Sequence, residues 1–160
     1  MNAARWRGRV RNARQQEGFT LVELLVIVVI ILLLVLMSIF NVARSRMTAR
    51  EQMALGLLRE MTTAAQMFSV VNNRSPSNLT ELSAPLAMPP YLDQEFIGDG
   101  TTVMKHGYVF TYAQPSFVTF TLHVDPERPG TTGTRFFFTD SSLVIHVSHD
   151  GPAGPEDPTL

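Results

Sequence analysis

The sequence contains no cysteine. This absence excludes disulfide bonds, thiolate metal sites and cysteine nucleophiles. The sequence also lacks a glycine-rich phosphate loop and a G-x-S-x-G nucleophile motif. We therefore expect a protein that is not an enzyme and that needs no cofactor, so that its function lies in structure or binding.

Acidic residues are scarce at the N-terminus. Residues 1–18 carry five arginines and one glutamate, whereas the rest of the chain carries more acidic than basic residues. A mildly acidic body argues against binding of nucleic acid through its phosphates. Because a long apolar run follows directly, the arginines are better interpreted as a membrane-topology signal than as a nucleic-acid-binding arm.

Only one charged residue, Glu23, interrupts the apolar run of residues 19–40. As a helix this run spans about 33 Å, close to the thickness of a bilayer core. It is apolar on every side, which is typical of a helix surrounded by lipid or by other helices. A secretory signal peptide would have a shorter run that ends in small residues. We therefore predict one transmembrane helix, with the N-terminus in the cytoplasm because of the preceding arginines.

Glu23 is the unusual residue of this helix. A carboxylate costs about 2.5–3.5 kcal/mol at the centre of a membrane helix and less near its end. A cut between Gly18 and Phe19 would create an α-amine four residues before Glu23. In a bundle of helices, Glu23 of one subunit could neutralise the amine of its neighbour and fix the register between them. The alternative is a glutamate that is tolerated near the membrane edge.

The residues around Glu23 carry a family resemblance. The segment EGFTLVELL, residues 17–25, with the aliphatic run behind it, resembles the cleavage and methylation motif of type IV pilins and type II secretion pseudopilins. This resemblance implies that a prepilin peptidase cuts after Gly18 and methylates the amine of Phe19, and that Glu23 is the assembly glutamate. The implied partners are this peptidase and methyltransferase, other pilin subunits, the inner membrane, and the pilus or secretion assembly machinery.

A second helical segment follows the apolar run. Apolar residues recur at alternating steps of four and three, which predicts an amphipathic helix over residues 41–72 that packs on a sheet. Asn72-Asn73 ends this helix, and Asn78 with Glu81 resembles a capping box. The residues that define the apolar face are Ala54, Leu58, Met61, Ala65 and Phe68, and it is widened by Leu57, Ala64 and Val71.

After Gly107 the apolar period changes to two, which is typical of strands. Short turns at 114–116, 126–133 and 140–142 favour an antiparallel meander of about four strands. The alternating residues are Tyr108, Phe110 and Tyr112; Val118, Phe120, Leu122 and Val124; Phe136 to Phe138; and Leu143, Ile145 and Val147. The fold class is therefore α+β, with a long N-terminal helix on the sheet. Residues 107–112, 130–136 and the 139–140 turn look like a bacterial pilin-like head.

These patterns divide the chain into five segments. They are a basic leader that is removed (1–18), a transmembrane and assembly helix (19–40), an amphipathic helix (41–72), a pilin-like globular head (73–149) and a flexible tail (150–160) rich in proline and glycine. Before assembly we expect the head in the periplasm of a protein that crosses the inner membrane once. After assembly we expect it in a pilus or pseudopilus filament.

Metal binding is the remaining possibility for the head. His146 and His149 are three residues apart at a strand end, where they face opposite sides and cannot easily share one ion. His123, Asp125 and Asp150 complete the only cluster of this kind in the sequence. We therefore predict no metal site. Calcium binding by a C-terminal loop stays open, since oxygen ligands are available from Asp140, Asp150, Glu156 and Asp157 although the EF-hand spacing is absent.

Three functions fit the sequence. The first is a type IV pilus-like filament subunit that serves adhesion, motility or DNA uptake. The second is a type II secretion pseudopilin that drives protein export. The third is a periplasmic binding or enzymatic domain on a single membrane anchor that never polymerises.

Overall fold

The structure is a computed structural model that describes residues 18–160, apart from the side chains of residues 38–41. The predicted leader lies outside the described residues except for Gly18. The chain forms two compact units, Met1–Phe40 and Asn41–Leu160.

The first described element is the helix α1, Leu21–Asn72, with 52 residues. Its sequence has no proline, so no backbone N–H is lost along its length. The helix is terminated by the following residue, Asn73, whose φ of 55° lies in the left-handed region that asparagine adopts more readily than most residues. The helix predicted to continue to residue 72 is confirmed.

Five strands follow α1 and form one antiparallel sheet in the order β1-β2-β3-β4-β5. The predicted α+β architecture is confirmed, with one strand more than expected. The missed strand is β1, in which only Val103 is buried, so that its sequence shows no alternation. The strands are β1 Thr102–Lys105, β2 Tyr108–Ser116, β3 Thr119–Pro126, β4 Phe136–Asp140 and β5 Ile145–Ser148.

The hydrophobic core lies between the second half of α1 and one face of the sheet. Seven of the eight residues predicted for the apolar face of the helix are buried. The prediction is wrong for Val71, which is 66% exposed in the last turn of the helix. Each large apolar side chain that is fully buried contributes about 1.5–3 kcal/mol. The sheet side chains in this core are Val103, Tyr108, Phe110, Tyr112, Phe120, Leu122, Val124 and Phe137.

Two strand boundaries differ from the prediction. The strand β2 continues to Ser116, through a register shift that accommodates Pro115, and the hairpin turn is Phe117-Val118. Val118 is therefore exposed in a turn instead of facing the core. Leu143 also lies in a turn, with a φ of 65°, so the last alternation begins at Ile145.

The capping box predicted at Asn78 forms only in part. Asn78 caps the short 3₁₀ helix Leu79–Leu82 by accepting hydrogen bonds from the N–H groups of Thr80 and Glu81. Glu81 does not reach back to Asn78. Its carboxylate accepts from the N–H of Ser77 at 3.0 Å and pairs with Arg74 at 2.7 Å. The competing cation supplies the physical reason for the difference. A second 3₁₀ helix is Gln94–Phe96.

The predicted flexible tail, residues 150–160, makes more contacts with the sheet than its composition indicates. The N–H of Val147 donates to the carbonyl of Pro158 at 2.8 Å, and the N–H of Leu160 donates to the carbonyl of Ile145 at 2.9 Å. These bonds place the end of the chain beside the edge strand β5. Composition gives no signal for them, because backbone pairing depends on the strand that the segment meets.

Candidate processing and assembly site

The predicted cleavage site lies just outside the helix. Gly18, Phe19 and Thr20 belong to no helix or strand, and all three are exposed. The side chain of Phe19 is 73% exposed. Proteases act on exposed segments that are free of regular structure, so the Gly18–Phe19 peptide bond is accessible to one.

Thr20 caps the helix immediately after this bond. Its hydroxyl oxygen accepts a hydrogen bond from the N–H of Glu23 at 3.2 Å, and its carbonyl accepts from the N–H of Leu24 at 3.2 Å. Threonine followed three residues later by glutamate is the signature of a helix N-terminus. We did not predict this cap, although the spacing of Thr20 and Glu23 contains the signal.

Residues 18–160 do not require glycine at position 18, since a Cβ atom added there meets none of their atoms within 4 Å. At Gly133, in contrast, an added Cβ would overlap the hydroxyl of Tyr108. A requirement for glycine at position 18 would therefore come from a partner that recognises this segment.

Glu23 lies in the first turn of α1, with its side chain exposed. A carboxylate at this position interacts favourably with the positive end of the helix dipole. Residues 18–160 provide no cationic partner for it. The structure therefore brings Gly18, Phe19 and Glu23 together at one helix end, with the carboxylate unpaired within the described part of the chain.

The helix behind Glu23 presents an uninterrupted apolar surface. Every apolar side chain between Leu21 and Met37 is at least 44% exposed. Among the residues that the structure describes, α1 is the one helix long and apolar enough to cross a membrane. An exposed apolar surface of this extent is typical of a helix that lipid or other helices surround.

A second arrangement attaches the loop before β4 to α1. Glu51 is 6% exposed, and one of its carboxylate oxygens accepts from both the N–H and the hydroxyl of Thr134, at 2.7 and 3.0 Å. Its other oxygen accepts from Nε of Arg135 at 3.0 Å. Burial raises the pKa of Glu51, but the hydrogen bonds from Thr134 and Arg135 outweigh this and hold the pKa below its ordinary value. We did not predict this buried carboxylate.

The histidines considered as metal ligands have other surroundings. The ring of His123 packs against Phe138 with centroids 4.8 Å apart, and Nδ1 of His146 lies 2.6 Å from the carbonyl of Asp157. Within residues 18–160 no three histidine or acidic residues are grouped closely enough to hold an ion. The carboxylates of Asp140 and Asp157 accept from the N–H groups of Ser142 and Gly154 in local turns.

The comparison with known proteins bears on the N-terminal segment. Residues 13–39 match the family model described as the prokaryotic N-terminal methylation motif. This motif is the signature of type IV pilins and pseudopilins, and the match supports a protein of this type. No curated protein and no solved structure matches the chain.

Proposed function

We propose that this protein is a structural subunit of a type IV pilus-like filament, without catalytic activity of its own. A prepilin peptidase cuts between Gly18 and Phe19, and Phe19 is then methylated at its new amine. The single observation that carries the proposal is the placement of an exposed, irregular Gly18–Phe19 bond directly before a capped apolar helix whose first turn holds one carboxylate.

The chemistry of assembly follows from the charges at this helix end. Cleavage would create an α-amine at Phe19 that is largely cationic near neutral pH. That charge lies at the positive end of the helix dipole, which is unfavourable for a cation. The carboxylate of Glu23 on a neighbouring subunit relieves this repulsion. It also sets the axial offset between two helices whose apolar side chains alone would allow them to slide.

Before assembly the subunit resides in the inner membrane with its head in the periplasm. Assembly removes the helix from lipid and covers its apolar surface with the same surface of other subunits. The exposure of the apolar side chains between Leu21 and Met37, each at least 44%, supports this step. The resulting filament would serve adhesion, motility or DNA uptake.

The substitutions Glu23→Gln and Glu23→Leu test the proposal in cells. Glutamine, like glutamate, is favoured three residues after a threonine that caps a helix, but it carries no charge. We expect both variants to reach the membrane in wild-type amounts and to be lost from the sheared filament fraction. The matched control is Glu60→Gln, an exposed carboxylate on the same helix, which should assemble normally.

Two other results would change the assignment. Wild-type amounts of filament from both Glu23 variants would contradict the assembly role proposed for Glu23. Absence of the wild-type chain from any filament would contradict the proposal as a whole and favour a plain membrane anchor, for which leucine at position 23 is the better residue. A type II secretion pseudopilin shares the same cut and the same use of Glu23. Labelling of intact cells distinguishes it, since a pilus is accessible at the cell surface and a pseudopilus remains in the periplasm.

A further inference from the structure

Three arginines follow the apolar run within a short stretch of α1. Arg44, Arg46 and Arg50 are all exposed, and none has an ion-pair partner among residues 18–160. No acidic residue occurs between Glu23 and Glu51. We refer to these three side chains as the arginine collar. They give this stretch a uniformly positive surface, whereas the remainder of the second unit is rich in acidic residues.

The arginine collar occupies two sides of the helix instead of one face. An α-helix turns by about 100° per residue, so Arg46 and Arg50 lie on one side and Arg44 lies on a different side. A protein partner that contacts one side of the helix would meet only part of this positive charge. Charges distributed around an axis fit a partner that surrounds the helix, as the headgroups of a membrane do.

The position along the chain agrees with this partner. Arg44, Arg46 and Arg50 come four, six and ten residues after Phe40, where the apolar run ends. At a helical rise these separations amount to about 6, 9 and 15 Å of chain. The polar headgroup layer on each side of a bilayer is about 5–7 Å thick. Arg44 therefore lies within this layer, and Arg46 reaches it because arginine side chains near a helix end extend toward the interface. Arg50 lies beyond the layer, beside Gly107, and adds a longer-range attraction.

We propose that the arginine collar binds the phosphate groups of anionic phospholipids in the outer leaflet of the membrane that holds the unassembled subunit. The planar guanidinium group forms paired hydrogen bonds with phosphate oxygens and loses little hydration in doing so. Arginines on the exported side of a membrane helix run against the usual bias toward the cytoplasm, and phosphate binding gives them a role there. The inference rests on the membrane insertion included in the proposed function, but on neither cleavage nor polymerisation.

Native mass spectrometry of the full-length chain in detergent micelles tests this binding. The chain is mixed with phosphatidylglycerol or with phosphatidylcholine, and the lipid retained per chain is measured. We expect phosphatidylglycerol to bind at least about tenfold more tightly than phosphatidylcholine. We expect the triple variant R44Q/R46Q/R50Q to lose this preference, and added salt to weaken it in the wild type.

The matched control removes the same net charge from the head. The variant R59Q/K105Q/R128Q should retain the lipid preference of the wild type, and far-UV circular dichroism should show equal helix content in all three proteins.

Equal binding of both lipids by the wild type, or full retention of the preference by the collar variant, would overturn the inference. A collar variant that binds lipid normally but fails to assemble would also overturn the inference. It would indicate that the arginines pair with acidic groups on a second copy of this chain. Because the measurement uses unassembled protein, Glu23→Gln should leave lipid binding unchanged even if it abolishes filaments.

Discussion

The carboxylate of Glu51 accepts a hydrogen bond of 2.7 Å from the backbone N–H of Thr134, a residue 83 positions later in the chain. Together with the bond from Arg135, it connects the middle of α1 to the loop before β4. Gly133 precedes this contact and leaves room for Tyr108, whose hydroxyl donates to the carbonyl of Arg135 at 3.2 Å. One buried carboxylate thereby holds in place the loop that leads from β3 to the buried strand β4.

Replacement of Glu51 by alanine should destabilise the protein by about 2–3 kcal/mol, because it leaves the N–H of Thr134 without its charged acceptor. Urea unfolding of the full chain in detergent, followed by near-UV circular dichroism, measures the change. Glu60→Ala is the matched control, since Glu60 is exposed on the same helix, and it should change the stability by less than about 0.5 kcal/mol. Equal stability of the two variants would contradict a structural role for Glu51.

Acid should weaken this contact in a defined range of pH. The pKa of Glu51 is lowered from its ordinary value of 4.5 in the folded protein. Its contribution to the free energy of unfolding is therefore fully present above pH 4.5 and is lost as the pH falls through the lower, folded-state pKa. The stability difference between the wild type and Glu51→Gln should accordingly shrink below pH 4.5. A difference that is constant from neutral to strongly acidic pH would contradict this assignment.

Ionisation of Asp125 should destabilise the folded protein, in contrast to ionisation of Glu51. One of its carboxylate oxygens is buried without a hydrogen-bond partner, and burial raises its pKa above the ordinary value of 3.8 despite the opposing charge of His123. Its ionised form therefore destabilises the fold at neutral pH, and Asp125→Asn should stabilise the protein there by about 1 kcal/mol, the lower end of the cost of a buried polar group without a partner. The gain should disappear at a pH below 3.8, where the carboxyl group is protonated in both states.

The control for Asp125 is Asp93→Asn. Asp93 is exposed, and its side chain makes no capping hydrogen bond, so this substitution should leave the unfolding midpoint unchanged. Thermal melts of both variants at neutral and acidic pH make the comparison. Destabilisation by Asp125→Asn at neutral pH would show that the charge of Asp125 has a favourable partner.

Two glycines should respond to substitution in opposite ways. Gly18→Val adds atoms where the described structure leaves open space, so stability should be unchanged while the rate of leader removal falls at least about tenfold. Gly133→Ala forces the loop away from Tyr108 and should cost about 1–3 kcal/mol, with processing of the remaining folded protein unaffected. Immunoblots of leader removal and urea unfolding separate the two effects. Normal processing of Gly18→Val would show that no partner requires this glycine.

Local signals predicted much of the fold. The alternation of Tyr108, Phe110 and Tyr112 identified a strand face that is buried in the structure. The same rule failed at Val118, because a period of two cannot show where a strand gives way to a two-residue turn. Strand β1 escaped prediction since a single buried residue contains no period.

The functional residues also differ in whether the sequence alone could predict their contacts. Thr20 could have been found, because its cap depends on a residue three positions away. Glu51 could not, because its partners lie more than eighty residues later and only the tertiary fold brings them together. The cleavage and assembly roles of Gly18, Phe19 and Glu23 stay predictions.

The most direct test of the central claim is mass spectrometry of the protein isolated from the membranes of cells that contain a prepilin peptidase. Processing creates the amine with which Glu23 is proposed to pair, so assembly by this route requires it. We predict a mature chain that begins at Phe19 and carries one methyl group on its α-amine. A chain that keeps its leader, or that begins at any other residue, would contradict the account.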